Sequence, residues 1–212
     1  IPKRDWSSDV CSSDLDAVIA VQVTDGSSQV VIGTRDGMAI RFPEDDVRPM
    51  GRTAFGVRGI SLRDGDYVVG MEAVKAGGTL LTVTEHGYGK RTELEEYRVQ
   101  SRGGLGIINI DTSERNGQVV SVAFVETGDE VLIITQQGMM LRMQTDGVRA
   151  IGRATQGVRL IDIDDSDRVV AVAKLGAAVA ADGGDGDEAA PADWSGGTET
   201  PDGPGPGAGS AE

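Results

Sequence analysis

The chain has 212 residues, of which 39% are apolar and 4% aromatic, enough for one domain with a buried core. No apolar run approaches the roughly 18 residues of a membrane-spanning helix, and one cysteine with one histidine leaves no disulfide framework and no Cys/His metal centre. The formal net charge of −14 is unevenly spread: eight of the 34 acids follow Ala181, where no Lys or Arg occurs, so the body carries 26 acids against all 20 basic residues, a net of −6.

Asp5 to Leu15 reads DWSSDVCSSDL, the string that a sequencing adapter yields when translated as coding sequence. Residues 1–15 are read as this artefact, with a native Ser/Asp-rich linker as the alternative, and in either case they carry no fold information. Cys11 and Trp6 fall there, so the native chain is free of thiols, which fits a reducing cytoplasm. On this reading the chain is a fragment lacking its upstream part. Asp16 to Val23, DAVIAVQV, alternates like a strand and matches three later runs: DYVVGMEA from Asp66, GQVVSVAF from Gly117 and DRVVAVAK from Asp167. Residues 16–27 are therefore expected to hold the last strand of a truncated preceding unit and a linker.

Three units follow, at 28–75, 79–126 and 130–175. Gly37, Arg41, Arg52 and Gly56 recur as Gly87, Arg91, Arg102 and Gly106, then as Gly138, Arg142, Arg153 and Gly157, with spacings of 50 and 51. Each unit opens with a β-branched run (QVVIGT, TLLTVT, EVLIIT), turns at a glycine and returns in a second strand that carries the recurrent arginine. A charged, glycine-rich loop comes next, and two further strands, starting near Val57, Ile107 and Val158, are expected to complete each four. His86 reads as a turn residue. The predicted fold is all-β and propeller-like, with three four-stranded antiparallel blades. Residues 176–212, rich in Gly, Ala, Asp and Pro, are expected to form a disordered acidic tail; Trp194 within it reads as a solvated aromatic or a docking anchor.

GMAIRFPEDDVRPMGRTAFGVRGI, GYGKRTELEEYRVQSRGGLG with SERNG after it, and LRMQTDGVRAIGRATQGVRLI together resemble the later blades of the C-terminal domain of the DNA gyrase A protein, over about Asp16 to Leu175. The resemblance implies a β-pinwheel, usually a disc of six four-stranded blades that exchange strands, whose basic rim wraps DNA. It further implies a holoenzyme in which ATP and Mg2+ bind elsewhere, a breakage and reunion domain that this chain lacks, and the gyrase B protein as partner in an A2B2 heterotetramer. No cofactor and no catalytic residue are expected here, and Tyr67, Tyr88 and Tyr97 are not carried over as nucleophiles. The family heptapeptide QRRGGRG is absent; QSRGGLG at Gln100 to Gly106 is its nearest string, which keeps the corresponding topoisomerase IV domain open as an alternative.

The residues speak to chemistry on their own account. Duplex DNA presents closely spaced phosphates, which Arg and Lys engage with release of counterions. Arg41, Arg91 and Arg142 on equivalent strands, Arg52, Arg102 and Arg153 in equivalent loops, and Arg48, Arg98 and Arg149 four residues earlier form three basic series. Arg58, Arg159 and Lys90 complete the expected DNA-binding set, with Ile108 breaking the Arg58 series. No base-reading helix is foreseen, so binding should follow charge and shape. The competing reading makes the recurrent arginines internal braces between blades. A protein-binding propeller of kelch type is the second class of function, and it lacks a WD or kelch signature here.

Overall fold

The computed structural model describes residues 17–175. Its eleven strands, in chain order, are β1 (Gln29–Thr34), β2 (Met38–Pro43), β3 (Val68–Val74), β4 (Thr79–Thr84), β5 (Tyr88–Glu93), β6 (Ile107–Ile108), β7 (Val119–Val125), β8 (Glu130–Thr135), β9 (Met140–Gln144), β10 (Val158–Arg159) and β11 (Val169–Leu175). Among these residues there is no α-helix, hence none long and apolar enough to cross a membrane. One-turn 3-10 helices at Glu44–Asp46, Leu94–Glu96 and Thr145–Gly147 follow the second strand of each unit.

Three antiparallel sheets result, in the orders β3-β1-β2-β6, β10-β5-β4-β7 and β11-β8-β9. The first two hairpins turn through three-residue loops and the third through four, each with a glycine of positive φ at its third position: Gly37 (83°), Gly87 (76°) and Gly138 (89°). Position Thr34, Thr84 or Thr135 holds this turn, its carbonyl accepting from the glycine N–H at 3.1 Å in all three.

The sheets depart from the sequence expectation in their fourth strand. Ile107–Ile108 does not complete its own unit but pairs with β2 of the preceding one (Ala39 opposite Ile107), and Val158–Arg159 likewise pairs with β5 (Gly89 opposite Val158). The segment at Val57 has no preceding hairpin among the described residues and forms no strand, and the last sheet has three strands rather than four. The alternating run at 17–23 is also unpaired, with Val18, Val21 and Val23 exposed. Its pattern marks one apolar face, but a strand needs a ladder, and the described residues offer it none.

The core lies between the sheets. Val31, Ala39, Val74, Leu80, Leu94, Tyr97, Ile110 and Val122 fill the space between the first and second, while Leu81, Val83, Val125, Val131, Ile133, Val148 and Ile161 fill that between the second and third. This explains why β4, TLLTVT, is buried at every position whereas β8, EVLIIT, alternates. The middle sheet is covered on both faces and the last on one.

Gly87 shows how closely the units approach: a Cβ there would lie 2.6 Å from the carbonyl oxygen of Ile161 in the following unit. At Gly138 the same atom would meet nothing within 4 Å. Gly138→Ala should therefore cost only the left-handed backbone penalty of about 1 kcal/mol, whereas Gly87→Ala should cost roughly 2 kcal/mol more through overpacking. Urea unfolding of the two variants measures the difference, and equal losses would contradict it.

Candidate nucleic-acid interface

The strand arginines come first. Arg41 is half-buried in β2, its Nε donating to Gln29 Oε1 at 2.5 Å and its Nη1 to the carbonyls of Leu94 (2.6 Å) and Tyr97 (3.1 Å) in the next unit. Burial lowers the pKa of this guanidinium, with Glu95 acting in the opposite direction. Arg91 repeats the arrangement one unit on, with Nε donating to the Val148 carbonyl at 2.8 Å and Nη1 paired to Asp146 at 3.3 Å. Arg142 has no following unit among the described residues. It folds back on Glu130 within its own hairpin, and its side chain is 60% exposed.

The loop arginines reach the other way. Arg102 donates from Nε to the Asp46 carbonyl (2.9 Å) and from Nη1 to the Arg58 carbonyl (3.1 Å), both in the preceding unit. Arg153 makes the matching Nη1 bond to the Ile108 carbonyl at 3.1 Å, while its Nε is buried without an acceptor. Arg52, whose preceding unit is absent from the described residues, is exposed and makes no hydrogen bond among them. Strand and loop arginines thus act as reciprocal clamps across each join, in keeping with the bracing reading.

Lys90 is the clear correction. Its place beside Arg91 puts it in the expected DNA-binding set, but its side chain is fully buried, and its Nζ donates to the carbonyls of Asn109 (2.6 Å), Gly152 (2.8 Å) and Arg153. Around it Tyr97 Oη donates to Asn109 Oδ1 at 2.6 Å, and Asn109 Nδ2 to Thr82 Oγ1 at 2.9 Å. A lysine beyond reach of solvent cannot contact a phosphate. Burial pushes its pKa down to about 8, helped by Arg153 and opposed by Glu96.

The third series remains outside. Arg48, Arg98 and Arg149 each sit just after a 3-10 turn, all exposed, and none is paired to an acid among the described residues. The nearest side-chain partner of Arg98 is Gln100, at 3.5 Å. Arg58 is exposed as well; Arg159 pairs with Asp162 at 2.5 Å and lies 5.5 Å from the ring centroid of Tyr88.

Sequence reasoning misses Arg115, whose guanidinium lies over the same ring at 4.9 Å. It belongs to no repeated series, so period gives no signal for it. Arg159 and then Arg115, through hydrogen bonds to the phenol, lower the Tyr88 pKa. These residues line a polar cleft of about 400 Å³ with His86, Asp164 and Arg168. His86 lies in the hairpin turn, with Nδ1 3.3 Å from the Arg115 carbonyl. Among the described residues no group of His, Cys, Asp and Glu could hold a metal ion.

Antiparallel units that lend their fourth strand to the unit before them, and lock the loan with arginines, define a propeller-like β-pinwheel. The chain belongs to the family described as "DNA gyrase C-terminal domain, beta-propeller", whose model matches residues 28–75, 78–126 and 129–175. The DNA gyrase A protein of Haloquadratum walsbyi is 49% identical over 159 residues, 74% of this chain and 19% of that protein. Among solved structures, one titled "Structure of DNA gyrase A C-terminal domain" aligns at a TM-score of 0.67 and 30% identity, covering 72% of this chain and 52% of that one. The C-terminal domain of DNA topoisomerase IV aligns at 0.71 with 24% identity, covering 74% and 50%, and this likeness is one of fold. The chain thus spans about a fifth of the curated relatives it matches.

The buried lysine gives a two-part expectation. Lys90→Met leaves three carbonyls without their donor and should destabilise the protein by about 2–3 kcal/mol. The folded group titrates near 8 and the unfolded one near its ordinary 10.5, so between these values the unfolded chain binds more protons. A base with a lowered pKa contributes stability that rises with pH across that window. The deficit of the variant should accordingly widen from about pH 8 to about 10.5 in denaturant titrations; a deficit that shrinks would place the folded pKa above the unfolded one.

Proposed function

We propose that this chain is the DNA-wrapping C-terminal part of a gyrase A protein and binds duplex DNA along an arginine track without reading its sequence. The observation that carries the proposal is the series Arg48, Arg98 and Arg149: matched positions on successive units, exposed, and free of acid partners among the described residues. Matched positions on successive blades set cationic groups along a curve. Arg58 and Arg159 flank the same loops; Arg52, exposed and without a hydrogen bond among the described residues, joins them at one end, and Arg142, exposed while paired with Glu130, at the other. Arg41, Arg91, Arg102 and Arg153 hold the units in register, so their part in binding is to keep the track in shape.

Bending a duplex over a length well below its persistence length of about 150 bp costs several kcal/mol, which phosphate contacts along a curved surface offset. A wrap of fixed hand biases which neighbouring duplex reaches the cleavage gate. In the parent enzyme this presents a segment for strand passage driven by ATP and Mg2+, which other parts of the holoenzyme bind. Negative supercoiling is the outcome. The 49% identity to a gyrase A protein favours this reading over topoisomerase IV, whose similarity is one of fold.

Replacing Arg48, Arg98 and Arg149 together by Gln should weaken binding to unrelated duplexes equally. It should also flatten the slope of log K against log salt by roughly 0.9 per lost contact, about 2.7 in all. The same substitution of Arg41 and Arg91 should lower thermal stability first. Fluorescence anisotropy over a salt series separates the two outcomes, and an unchanged slope in the triple variant would remove the exposed series from the interface.

A further inference from the structure

The middle unit, residues 79–126, has a neighbouring unit on each side, so its exposed positions are those left over when both joins are made. Three of its large apolar side chains face water all the same: Val99 (48% exposed), Leu105 (58%) and Ile108 (47%). All three lie in the segment 98–108, which runs along the edge of β2 away from β1. Val99 bridges Arg41 there, and Ile107 and Ile108 pair with Ala39 and Met38. At a rise of about 3.4 Å per strand residue, Val99 and Ile108 are roughly 10 Å apart along that edge. Single surface aliphatics need no account, but three on one short edge form a patch.

The most exposed of the three stands on a pinned loop. Leu105 lies between Gly104, whose carbonyl accepts from Ser61 N–H at 2.8 Å, and Gly106, where an added Cβ would meet the Ala39 carbonyl oxygen at 2.4 Å. Gly103 N–H donates to the Gly59 carbonyl at 2.6 Å, its own carbonyl accepts from Ser61 Oγ at 2.7 Å, and Arg102 is tied to the Asp46 and Arg58 carbonyls. The backbone on both sides of the leucine is thus fixed to the preceding unit. An apolar group presented on a backbone already ordered gives up little freedom when it meets a partner.

The surroundings are cationic. Arg98 adjoins Val99, exposed and without an acid partner among the described residues; Arg153 Nη1 donates to the Ile108 carbonyl itself, and Arg102 closes the loop between them. In the units on either side, Arg58 and Arg159 stand at the position of Ile108. The middle unit therefore sets an aliphatic strip into a row of guanidinium groups. A ligand that is anionic at its edges and apolar between them fits such a surface. Duplex DNA has this form in its major groove, which is about 12 Å wide, comparable to the length of the strip, and in which one base-pair feature is apolar, the C5 methyl of thymine.

We propose that the middle unit faces the major groove, with Leu105, Val99 and Ile108 packed on thymine methyls while Arg98 takes a phosphate at the groove edge. This rests on the proposed DNA binding and adds to it a contact that is not electrostatic. Each methyl removed from water favours the complex by about fourfold, which biases where the duplex sits and leaves the phosphate contacts to set how strongly unrelated sequences bind. Because no counterion is released by an apolar contact, this part of the affinity is insensitive to salt.

The test uses the full chain and two duplexes of one A·T-rich sequence, the second carrying deoxyuridine in place of every thymidine, so that they differ only in the C5 methyl. The unsubstituted chain should bind the thymidine duplex about fourfold more tightly per methyl covered, by anisotropy over a salt series. A Leu105→Ser, Ile108→Ser double variant should bind both duplexes alike, with the salt slope of the unsubstituted chain and an unchanged thermal midpoint. Neither side chain belongs to a core cluster, and Leu105→Ser alone, outside β6, should show the same loss in part. Equal affinity of the unsubstituted chain for the two duplexes overturns the proposal. A methyl preference that survives in the variants also overturns it, by assigning the effect to the stiffness of the duplex. Variants that match the unsubstituted chain on both duplexes assign the patch to a protein partner instead. Absence of binding by the unsubstituted chain to either duplex removes the arginine track and this contact together, and so is told apart from failure of this contact alone.

Discussion

Everything in this structure depends on the join between consecutive units. No sheet here is completed by its own sequence: where a fourth strand is present it comes from the unit after, and it is only two residues long. So short a strand contributes little by itself, and the arginines supply what it lacks. Each join carries an arginine from the earlier unit capping carbonyls of the later 3-10 turn, and one from the later unit capping carbonyls of the earlier loop. Charge-assisted hydrogen bonds of this kind are about twice as strong as neutral ones, and they fix geometry as well as adding energy. The apolar clusters between sheets then form in a register that the clamps have set.

This arrangement divides one residue type between two tasks. An arginine that points along the join meets carbonyls and loses its freedom to bind phosphate, whereas one displaced by four residues, at 48, 98 or 149, stays in water. The proposed DNA track and the scaffold are therefore written in the same repeat at different phases. A change in the clamps would reach the track through its curvature, and a change in the track would leave the fold intact.

The all-β fold and the hairpins are legible in the sequence because period, β-branched runs and turn glycines report local chemistry. Strand exchange is not legible in spacing, since Ile107 has the same pattern whether it closes its own sheet or the one before. Only the family resemblance suggests it. The same limit governs the arginines: Arg41 and Arg48 are both recurrent and both basic, and only the neighbouring unit's carbonyls distinguish a brace from a free cation. Lys90 misleads because its neighbour Arg91 belongs to a true series, while its burial comes from Asn109 and from a loop 62 residues away. Arg115 escapes notice because it belongs to no series.

The buried network of Lys90, Asn109, Tyr97 and Thr82 has a consequence for how the array assembles. Units this similar could in principle stack in the wrong order or skip a neighbour, because each presents nearly the same apolar face. The middle unit differs: where the first has Ile40 and the third Leu141, it carries an ammonium that needs three carbonyls at once. A stacking that failed to bring the 152–153 loop over Lys90 would strand a charge in a dry interior, at a cost of several kcal/mol. The lysine works as an address label, giving an otherwise uniform stack a defined sequence of neighbours.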